Sequence, residues 1–523
     1  MHNHVLKDLK TTAAKFPDKP AFCGEKSVLT FRQLDRAVDR IGTFILSEGI
    51  RKSPIVVYME KSPEEVACFF GIIRAGSYYV PIDAEMPSVR IHLILENVKA
   101  PLLICDDATA EAAKELGFEG RIVHYLEIFG QKLSDDGASG DSAFSGDIYE
   151  NVDINEAALE EVFSRSIDTD PLYIVFTSGS TGVPKGVVGC HRAVNDYIDQ
   201  LSEVLGFSSE TVFGNQTPLY LDACFKELFP TIRFGATTYF VPKTLFMQPL
   251  KLVQYLNEHE INTVCWVVSA LTIISTFGTF KTEIPKYLKT IAFGSEVFPL
   301  KQFRMWRQAL PEATFTNLYG PTEGTGMCCY YRVDRDFEDG EAIPIGRPFD
   351  NTDIILLSDE DQEVTKESGE QGEICIRGTS LTLGYMNNPE KTAEAFTLNP
   401  LQKGWPELIY RTGDIGRYNE RGELMFVSRK DFQIKHMGHR IELGEIEVNA
   451  QMIEGITGAA CVYDKTKGKI VLFFSGSKEE AEMKVLLKDS LPRYMVPNVT
   501  RKLERIPLTS NGKTDRVTLS GMI

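Results

Sequence analysis

The sequence predicts an α/β protein made of layered α/β subdomains, a β-rich subdomain and a small α+β C-terminal domain. Three observations predict it. Short apolar β-type runs alternate with helix-type patterns from about residue 54, the pattern turns β-rich after about residue 340, and a second α/β alternation follows Ser428-Arg429-Lys430-Asp431. The 523 residues suggest roughly three domain-sized units at ~150 residues each.

The first strand-type run is Ile55 to Tyr58. Ser62 and Glu65 then stand at capping-box spacing, Pro63 suits the first helical position and Gly76 suits a C-terminal stop, so a helix is predicted between them. Tyr78 to Ile82, Leu102 to Cys105 and Ile122 to Tyr125 continue the strand series, separated by helical patterns such as Val89 to Val98. Ser134 to Gly146, rich in Asp, Ser and Gly, has little to bury and reads as a mobile surface loop. A second alternation places strands at Tyr173 to Phe176, Thr237 to Val241, Thr263 to Val267, Thr290 to Phe293 and Phe315 to Leu318. The β-rich stretch contributes Asp353 to Leu357, Gly372 to Arg377 and Leu424 to Val427. A boundary near Asp431 gives domains 1–430 and 431–523. In the second, Ala459 to Tyr463 and Ile470 to Phe474 read as strands and Glu479 to Leu487 as a helix. No internal repeat is apparent.

Hydrophobic residues are 43% and charged residues 25%, an ordinary globular composition that can bury a sizeable core. Lys plus Arg is 56 against 73 Asp plus Glu, a net charge of −17, and no basic cluster offsets it. A general nucleic-acid binder needs such a face, so that class is excluded. The ten cysteines are scattered with no CxxC pair, which reads as buried reduced thiols in a cytosolic chain rather than a zinc site or disulfide framework. The N-terminus has no apolar signal region and no run of about 18 uncharged apolar residues occurs, so neither export nor a membrane span is expected.

The sharpest local signal is Tyr173-Ile-Val-Phe-Thr-Ser-Gly-Ser-Thr-Gly-Val-Pro-Lys-Gly-Val187, an apolar strand emptying into a loop of Gly, Ser and Thr with one lysine. Glycines let backbone N–H groups approach an anion, hydroxyls donate further hydrogen bonds, and Lys185 adds charge, which suits polyphosphate. The Gly-Lys-Ser/Thr ending of the common P-loop is missing. A plain Gly/Ser surface turn is the alternative for such a loop taken alone.

The loop resembles that of the adenylate-forming superfamily, and within it the amino-acid-activating adenylation domains of nonribosomal peptide synthesis and the D-alanine–carrier-protein ligases. The likeness continues in order through Tyr79-Val-Pro-Ile-Asp83, Tyr319-Gly-Pro-Thr-Glu323, Gly372-Glu-Ile-Cys-Ile-Arg-Gly378, Tyr410-Arg-Thr-Gly-Asp-Ile-Gly-Arg417, Gly438-His-Arg-Ile-Glu-Leu-Gly-Glu445, Leu491-Pro-Arg-Tyr-Met-Val-Pro497 and Leu508-Thr-Ser-Asn-Gly-Lys-Thr-Asp-Arg516. It covers nearly the whole chain. It implies a large N-terminal domain, a small mobile C-terminal domain, ATP with Mg²⁺, and two steps: a substrate carboxylate forms an acyl adenylate with release of pyrophosphate, and a carrier thiol then displaces AMP.

The resemblance assigns ATP or AMP binding to Thr177, Ser178, Gly179, Ser180, Thr181, Gly182, Lys185, Gly294, Asn317, Tyr319, Gly320, Thr322, Asp414 and Arg429. Tyr319 would stack on adenine with Asn317 at the base edge, Thr322 would touch phosphate and Asp414 the ribose hydroxyls. By residue type alone an aromatic such as Tyr319 more often plugs the core than stacks on a base, and Asp414 could cap a turn. Glu323 is similar to the family's Mg²⁺ ligand, a hard carboxylate oxygen for a partly hydrated cation; otherwise it would be a surface or first-turn glutamate. Lys513 follows the turn signal Asn511-Gly512, where a lysine would ordinarily be solvated. The resemblance makes it the catalytic lysine, Asp431 the interdomain hinge, and Gly438, with His439 and Arg440, the lining of a thiol tunnel. Ser428 departs from the glycine usual before the hinge.

Asp222 falls on the family position that pairs with an α-ammonium group, which fatty-acyl and aryl ligases have no need of. The rest of the substrate wall carries over as Ala223, Lys226, Trp266, Ile291, Phe293, Leu318, Gly326 and Met327, with Leu221 departing from the usual aromatic. Trp266, Phe293 and Met327 would leave room for a small side chain, and Lys226 adds a partner for an acidic one. Against this, Asp222 and Lys226 are spaced i, i+4 and could pair with each other on a helix face. Ten residues after Lys513 are too few for a carrier domain, so a stand-alone, monomeric, cytoplasmic amino-acid ligase serving a separate phosphopantetheinylated carrier protein is expected. An acyl- or aryl-CoA ligase, a luciferase-like oxygenase and a non-catalytic module are the competing readings.

Overall fold

The computed structural model describes residues 4–131, 146–150, 152–179, 183–430, 433–507 and 514–523. They divide into two compact units. The first comprises Met1–Ala84, Lys99–Val175 and Val187–Ser428, and the second Glu85–Val98, Phe176–Gly186 and Arg429–Ile523. Residues 134–145 of the expected loop lie outside the described residues, as does Asp431; Gly146 opens the short 3₁₀ turn Gly146–Tyr149.

Two sheets carry the first unit. Among the described residues one has nine strands, in the spatial order Arg347–Pro348, Cys329–Arg332, Thr314–Tyr319, Thr290–Gly294, Thr263–Val267, Val212–Asn215, Thr237–Phe240, Pro20–Cys23, Val28–Thr30. Its six central strands, from Thr314–Tyr319 to Pro20–Cys23, run parallel. The other runs Arg121–His124, Leu102–Cys105, Pro54–Met59, Tyr78–Asp83, Pro171–Thr177, Lys185–Cys190, and its last two strands belong to this unit up to Val175 and from Val187. Strands such as Pro54–Met59 are buried on both faces, as parallel strands must be when helices cover them. The expected strand at Ile122 to Tyr125 ends at His124, because the His124 ring accepts the Leu126 N–H and starts a short helix at Tyr125.

Ser62 Oγ accepts the Glu65 N–H at 3.1 Å, Pro63 opens the helix Pro63–Arg74, and Gly76 follows with φ +69°, so the predicted stop is realised. A helix not read from sequence, Phe31–Ser47, starts on a full capping box of Thr30 and Gln33 and packs on it. One apolar core takes residues from both sheets, among them Phe22, Ile55, Tyr173, Cys265, Ala292 and Leu318, together with the helices His191–Leu205 and Phe225–Phe234. A third, antiparallel sheet of Thr352–Leu357, Gln371–Gly378, Leu408–Tyr418, Phe396–Leu398 and Leu424–Arg429 forms the β-rich subdomain. All ten cysteines are buried and unbridged, and no described helix is long and apolar enough to cross a membrane.

The second unit is built on the sheet Ile456–Asp464, Lys469–Gly476, Val499–Lys502 with helices Leu443–Gln451 and Glu480–Lys488, packed through Ile441, Ile446, Leu472, Phe474 and Leu487. Its helix Ser88–Val98 presents Arg90, whose guanidinium pairs with Glu445; both side chains are almost fully buried, at 5% and 1% exposure. Removing one partner of a buried pair leaves the other charge unsolvated, at a cost of about 3–5 kcal/mol. Arg90→Ala should therefore lower the thermal midpoint of the second unit by several degrees, read by calorimetry; an unchanged midpoint would show the pair to be dispensable.

Candidate active site

Six central strands of the nine-stranded sheet end together, and in open α/β sheets the carboxyl ends of parallel strands are where ligands bind. Tyr319 is the last residue of Thr314–Tyr319, and Gly294 closes its neighbour Thr290–Gly294. Asn317 is buried and its Nδ2 donates to the Pro344 carbonyl at 2.8 Å. After Gly320 and Pro321 the chain makes the 3₁₀ turn Thr322–Gly324, Thr325 takes a left-handed φ of +55°, and the Cys328 N–H returns to the Tyr319 carbonyl at 2.8 Å. The Thr325 hydroxyl donates to Ser380 O at 2.8 Å, which holds the unfavourable conformation in place.

Glu323 is completely buried, its Oε1 receives the Tyr385 hydroxyl at 2.7 Å and its carbonyl receives the Thr382 N–H at 3.0 Å. It is not a surface glutamate. Among the described residues no cluster of three or more His, Cys, Asp or Glu stands ready to enclose a metal. A lone buried carboxylate fits a cation that arrives on phosphate oxygens with its own waters rather than one held in an all-protein cage.

Asp414 is reached by an irregularity in a strand. Glu373 pairs with Ile415 but Cys375 with Arg411, so Thr412-Gly413-Asp414 bulges opposite Ile374. Gly413 takes φ +71°, Thr412 Oγ1 donates to Ile374 O at 2.7 Å, and the Asp414 N–H donates back to that hydroxyl oxygen at 2.9 Å. A bulge re-aims side chains. Here Asp414 Oδ2 receives the buried Tyr319 hydroxyl at 2.5 Å, and burial, with Asp414 beside it, pushes the Tyr319 phenol far above its usual range. Tyr319 is thus anchored by its hydroxyl to Asp414.

Asp222 opens the 3₁₀ turn Asp222–Cys224 ahead of the helix Phe225–Phe234, so it and Lys226 do not share one regular helix face. Both are buried, at 7% and 4% exposure, and no ion pair joins them. Burial raises the Asp222 carboxyl; the Thr322 hydroxyl and the Lys226 charge oppose that rise. Asp222 Oδ2 has no hydrogen-bond partner among the described residues, and neither do the Tyr79 and Tyr197 hydroxyls, whose own titration feels the Asp222 charge. Native proteins leave few buried polar groups unpaired, so this group is the candidate substrate end of the site. Tyr79 appears in the sequence only inside a longer likeness and Tyr197 has no sequence signal, being one aromatic on an amphipathic helix.

The remaining wall residues divide between the two faces of the sheet. Register sets Trp266 beside Phe293 and Val264 beside Ile291, while Cys265, Ala292 and Leu318 point the other way. Leu318 and Met327 share the core that contains Tyr197 and Cys224, and a side chain at Gly326 would touch the Tyr197 ring. Trp266, Ile291 and Phe293 instead pack with Phe298 and Phe303, and Trp266 Nε1 donates to Gly214 O at 2.6 Å. Strand alternation therefore sets Trp266 and Phe293 on the sheet face opposite Leu318. Ala223 is half-buried beside Asp222.

Within the second unit, the phosphate-type loop is engaged. Ser178 Oγ donates to Arg440 O at 2.8 Å and accepts the Glu442 N–H at 3.2 Å, and the Gly179 N–H donates to Glu445 Oε2 at 3.1 Å. A Cβ on Gly179 would stand 2.0 Å from the Val183 carbonyl oxygen, so only glycine fits. Thr177 Oγ1 is buried without a partner among the described residues, and Lys185 opens the strand Lys185–Cys190. Gly438, with Met437, forms the two-residue turn of the hairpin Gln433–His436/His439–Glu442, both with positive φ. His439 stacks on Tyr494 at 3.7 Å, and Arg429 ends the strand Leu424–Arg429. Ser180, Thr181, Gly182, Asp431 and Lys513 lie outside the described residues.

Comparison with known proteins gives the family. The family described as AMP-binding enzyme matches residues 9–386. The chain is 31% identical over 525 residues to the D-alanine–D-alanyl carrier protein ligase of Bacillus cereus, covering 98% of both. It is 30% identical over 519 residues to tyrocidine synthase 1 of Brevibacillus parabrevis, covering 97% of this chain but only 44% of that synthase. The adenylation domain AlmE of Vibrio cholerae, solved with glycyl-adenosine-5′-phosphate, shares the fold at a TM-score of 0.83 and 21% identity, covering 100% of this chain and 98% of that one. The chain belongs to the AMP-binding enzyme family of the adenylate-forming superfamily.

Beside this site Glu227 is buried, with Oε2 receiving Asn215 Nδ2 at 3.2 Å, and burial raises its carboxyl to about 7 although Lys226 and Lys61 draw it down. A carboxyl raised in the folded state holds its proton longer than the unfolded chain does, so its contribution is present at low pH and is lost as pH rises from about 4.5 to about 7. The stability of Glu227→Gln relative to wild type should therefore rise by about 3 kcal/mol across that window, read from thermal midpoints between pH 5 and 8. A difference independent of pH would contradict the assignment.

Proposed function

We propose that the chain is an ATP-dependent ligase that activates an amino acid as its adenylate and passes the aminoacyl group to the phosphopantetheine thiol of a separate carrier protein. The observation that carries this reading is the buried Asp222 carboxylate, with one oxygen unpartnered and tyrosine hydroxyls around it. An α-ammonium group supplies the counter-charge it lacks. The similarity of the whole chain to a D-alanine–carrier ligase supports the carrier as acceptor.

In the first step an oxygen of the substrate carboxylate attacks the α-phosphorus of ATP, forming the acyl–phosphate bond as the bond to pyrophosphate breaks. Tyr319, anchored through Asp414, offers its ring to adenine, and Asp414 accepts from the ribose hydroxyls. Thr322, the hydroxyls and amides of 177–182, and Lys185 receive phosphate oxygens. Mg²⁺ would be held by Glu323 and would neutralise phosphate charge. Lys513 places a cation against the charge developing between carboxylate and α-phosphate, a preorganised contact worth about 3 kcal/mol. In the second step the thiolate sulfur attacks the acyl carbon and AMP leaves. Rotation about Asp431 would withdraw Lys513 and bring up the Gly438 turn, so one active site serves both steps. Ten buried, unbridged cysteines suit a reducing cytoplasm. An acyl- or aryl-CoA ligase has no use for a charge at Asp222, which disfavours that reading.

Amino-acid-dependent pyrophosphate exchange, followed by a mass shift on a phosphopantetheinylated carrier, tests the proposal. Lys513→Ala should slow exchange by ~10²-fold or more with an unchanged thermal midpoint. Exchange at the wild-type rate would sink the role given to Lys513.

A further inference from the structure

The bulge that aims Asp414 has little local reason to hold its shape. Gly413 at its centre takes φ +71°, and a glycine is free to leave that conformation for many others. Three residues, Thr412 to Asp414, stand opposite Ile374 alone, so the regular ladder is interrupted where they lie. The Ile374 carbonyl accepts the Thr412 hydroxyl, and that hydroxyl accepts the Asp414 N–H. The Gly413 N–H is answered by a side chain: Glu373 Oε1 accepts it at 3.0 Å.

The Glu373 carboxylate is itself held. It belongs to the strand Gln371–Gly378, directly before Ile374, and its side chain is only 8% exposed. Its Oε2 accepts from the Arg411 guanidinium at 3.3 Å, and the same guanidinium pairs with Asp361. One carboxylate thus joins two alternate residues of the partner strand, the side chain of Arg411 and the main chain of Gly413. An ionised acceptor makes such an N–H bond roughly twice as strong as a neutral one. Asp414 follows Gly413 in the chain and receives the buried Tyr319 hydroxyl, so the contacts run without a break from Glu373 to Asp414, all within the first unit.

We infer that Glu373 is a positioning residue for the nucleotide: by fixing the Gly413 main chain it sets the direction of the Asp414 carboxylate, and with it the preference for a ribonucleotide over a deoxyribonucleotide. The inference rests on the reading of Asp414 as acceptor of the ribose hydroxyls. A Glu373 that served only as an ion-pair partner for Arg411 would affect the binding of all adenine nucleotides alike. The ratio of affinities separates the two roles.

Calorimetric titration of the full chain with ATP, 2′-deoxy-ATP and 3′-deoxy-ATP, each with Mg²⁺, reads that ratio without an amino acid. A hydroxyl bonded to a charged group discriminates by about 10-fold or more, so wild type should bind at least one deoxynucleotide that much more weakly than ATP. In Glu373→Met the ratio should fall below about 3-fold, whereas Glu373→Gln, whose side-chain oxygen still accepts the Gly413 N–H, should keep it. Should Glu373→Met not fold, Glu373→Asp, which draws the carboxylate back from Gly413, should show the same fall. A ratio that survives in Glu373→Met and Glu373→Asp but collapses in Asp414→Ala overturns the inference and leaves the reading of Asp414 standing. So does a ratio lost as fully in Glu373→Gln as in Glu373→Met. A wild type without discrimination, or an Asp414→Ala that keeps it, overturns the reading of Asp414 itself and the inference with it.

Discussion

Buried carboxylates are the constraint on which this site depends. Asp222, Glu323 and Asp414 are each nearly or wholly removed from water, and an ionised carboxylate in that setting needs a donor or a cation. The protein answers for two of them with tyrosine hydroxyls, Tyr385 at Glu323 and Tyr319 at Asp414. For Asp222 it supplies the Thr322 hydroxyl, the Ala223 N–H and the Lys226 charge, and leaves Oδ2 without a donor among the described residues. Folding thus carries an unfavourable term that a cationic ligand, as proposed, would remove. Binding at that one atom would then be linked to stability.

The same economy of partners appears in the second unit. Glu445 pairs with Arg90 through one oxygen and takes the Gly179 N–H with the other, while Ser178 is held by the backbone at Arg440 and Glu442. A backbone amide of the kind that binds phosphate therefore already faces a carboxylate, and an anion approaching Gly179 competes with Glu445 for it.

Much of the architecture was legible because it follows local rules. Thr263–Val267 coincides with the apolar run that predicts it, and the helix from Pro63 begins and ends on the cap residues read from the sequence. What was not legible is long-range. Arg90 and Glu445 are separated by 355 positions, and nothing near either residue announces the other. The bulge that aims Asp414 depends on how Leu408–Tyr418 registers against Gln371–Gly378. The wall residues illustrate the point best. As a set they read as one lining, but a pleated strand sends neighbours to opposite faces, so Leu318 and Met327 join Tyr197 whereas Trp266 and Phe293 do not. Tyr385 and Tyr197 carry no distinguishing signal in the sequence, because the hydroxyl's role depends on what the fold brings beside it.

The central claim is that Asp222 exists to meet an amine. The most direct measurement compares kcat/KM in pyrophosphate exchange for the best amino-acid substrate and for the same acid lacking its α-amino group. Loss of the counter-charge at a buried carboxylate costs about 3–5 kcal/mol, so the des-amino acid should be poorer by about 10² to 10³-fold or more. Equal use of the two acids would contradict the account.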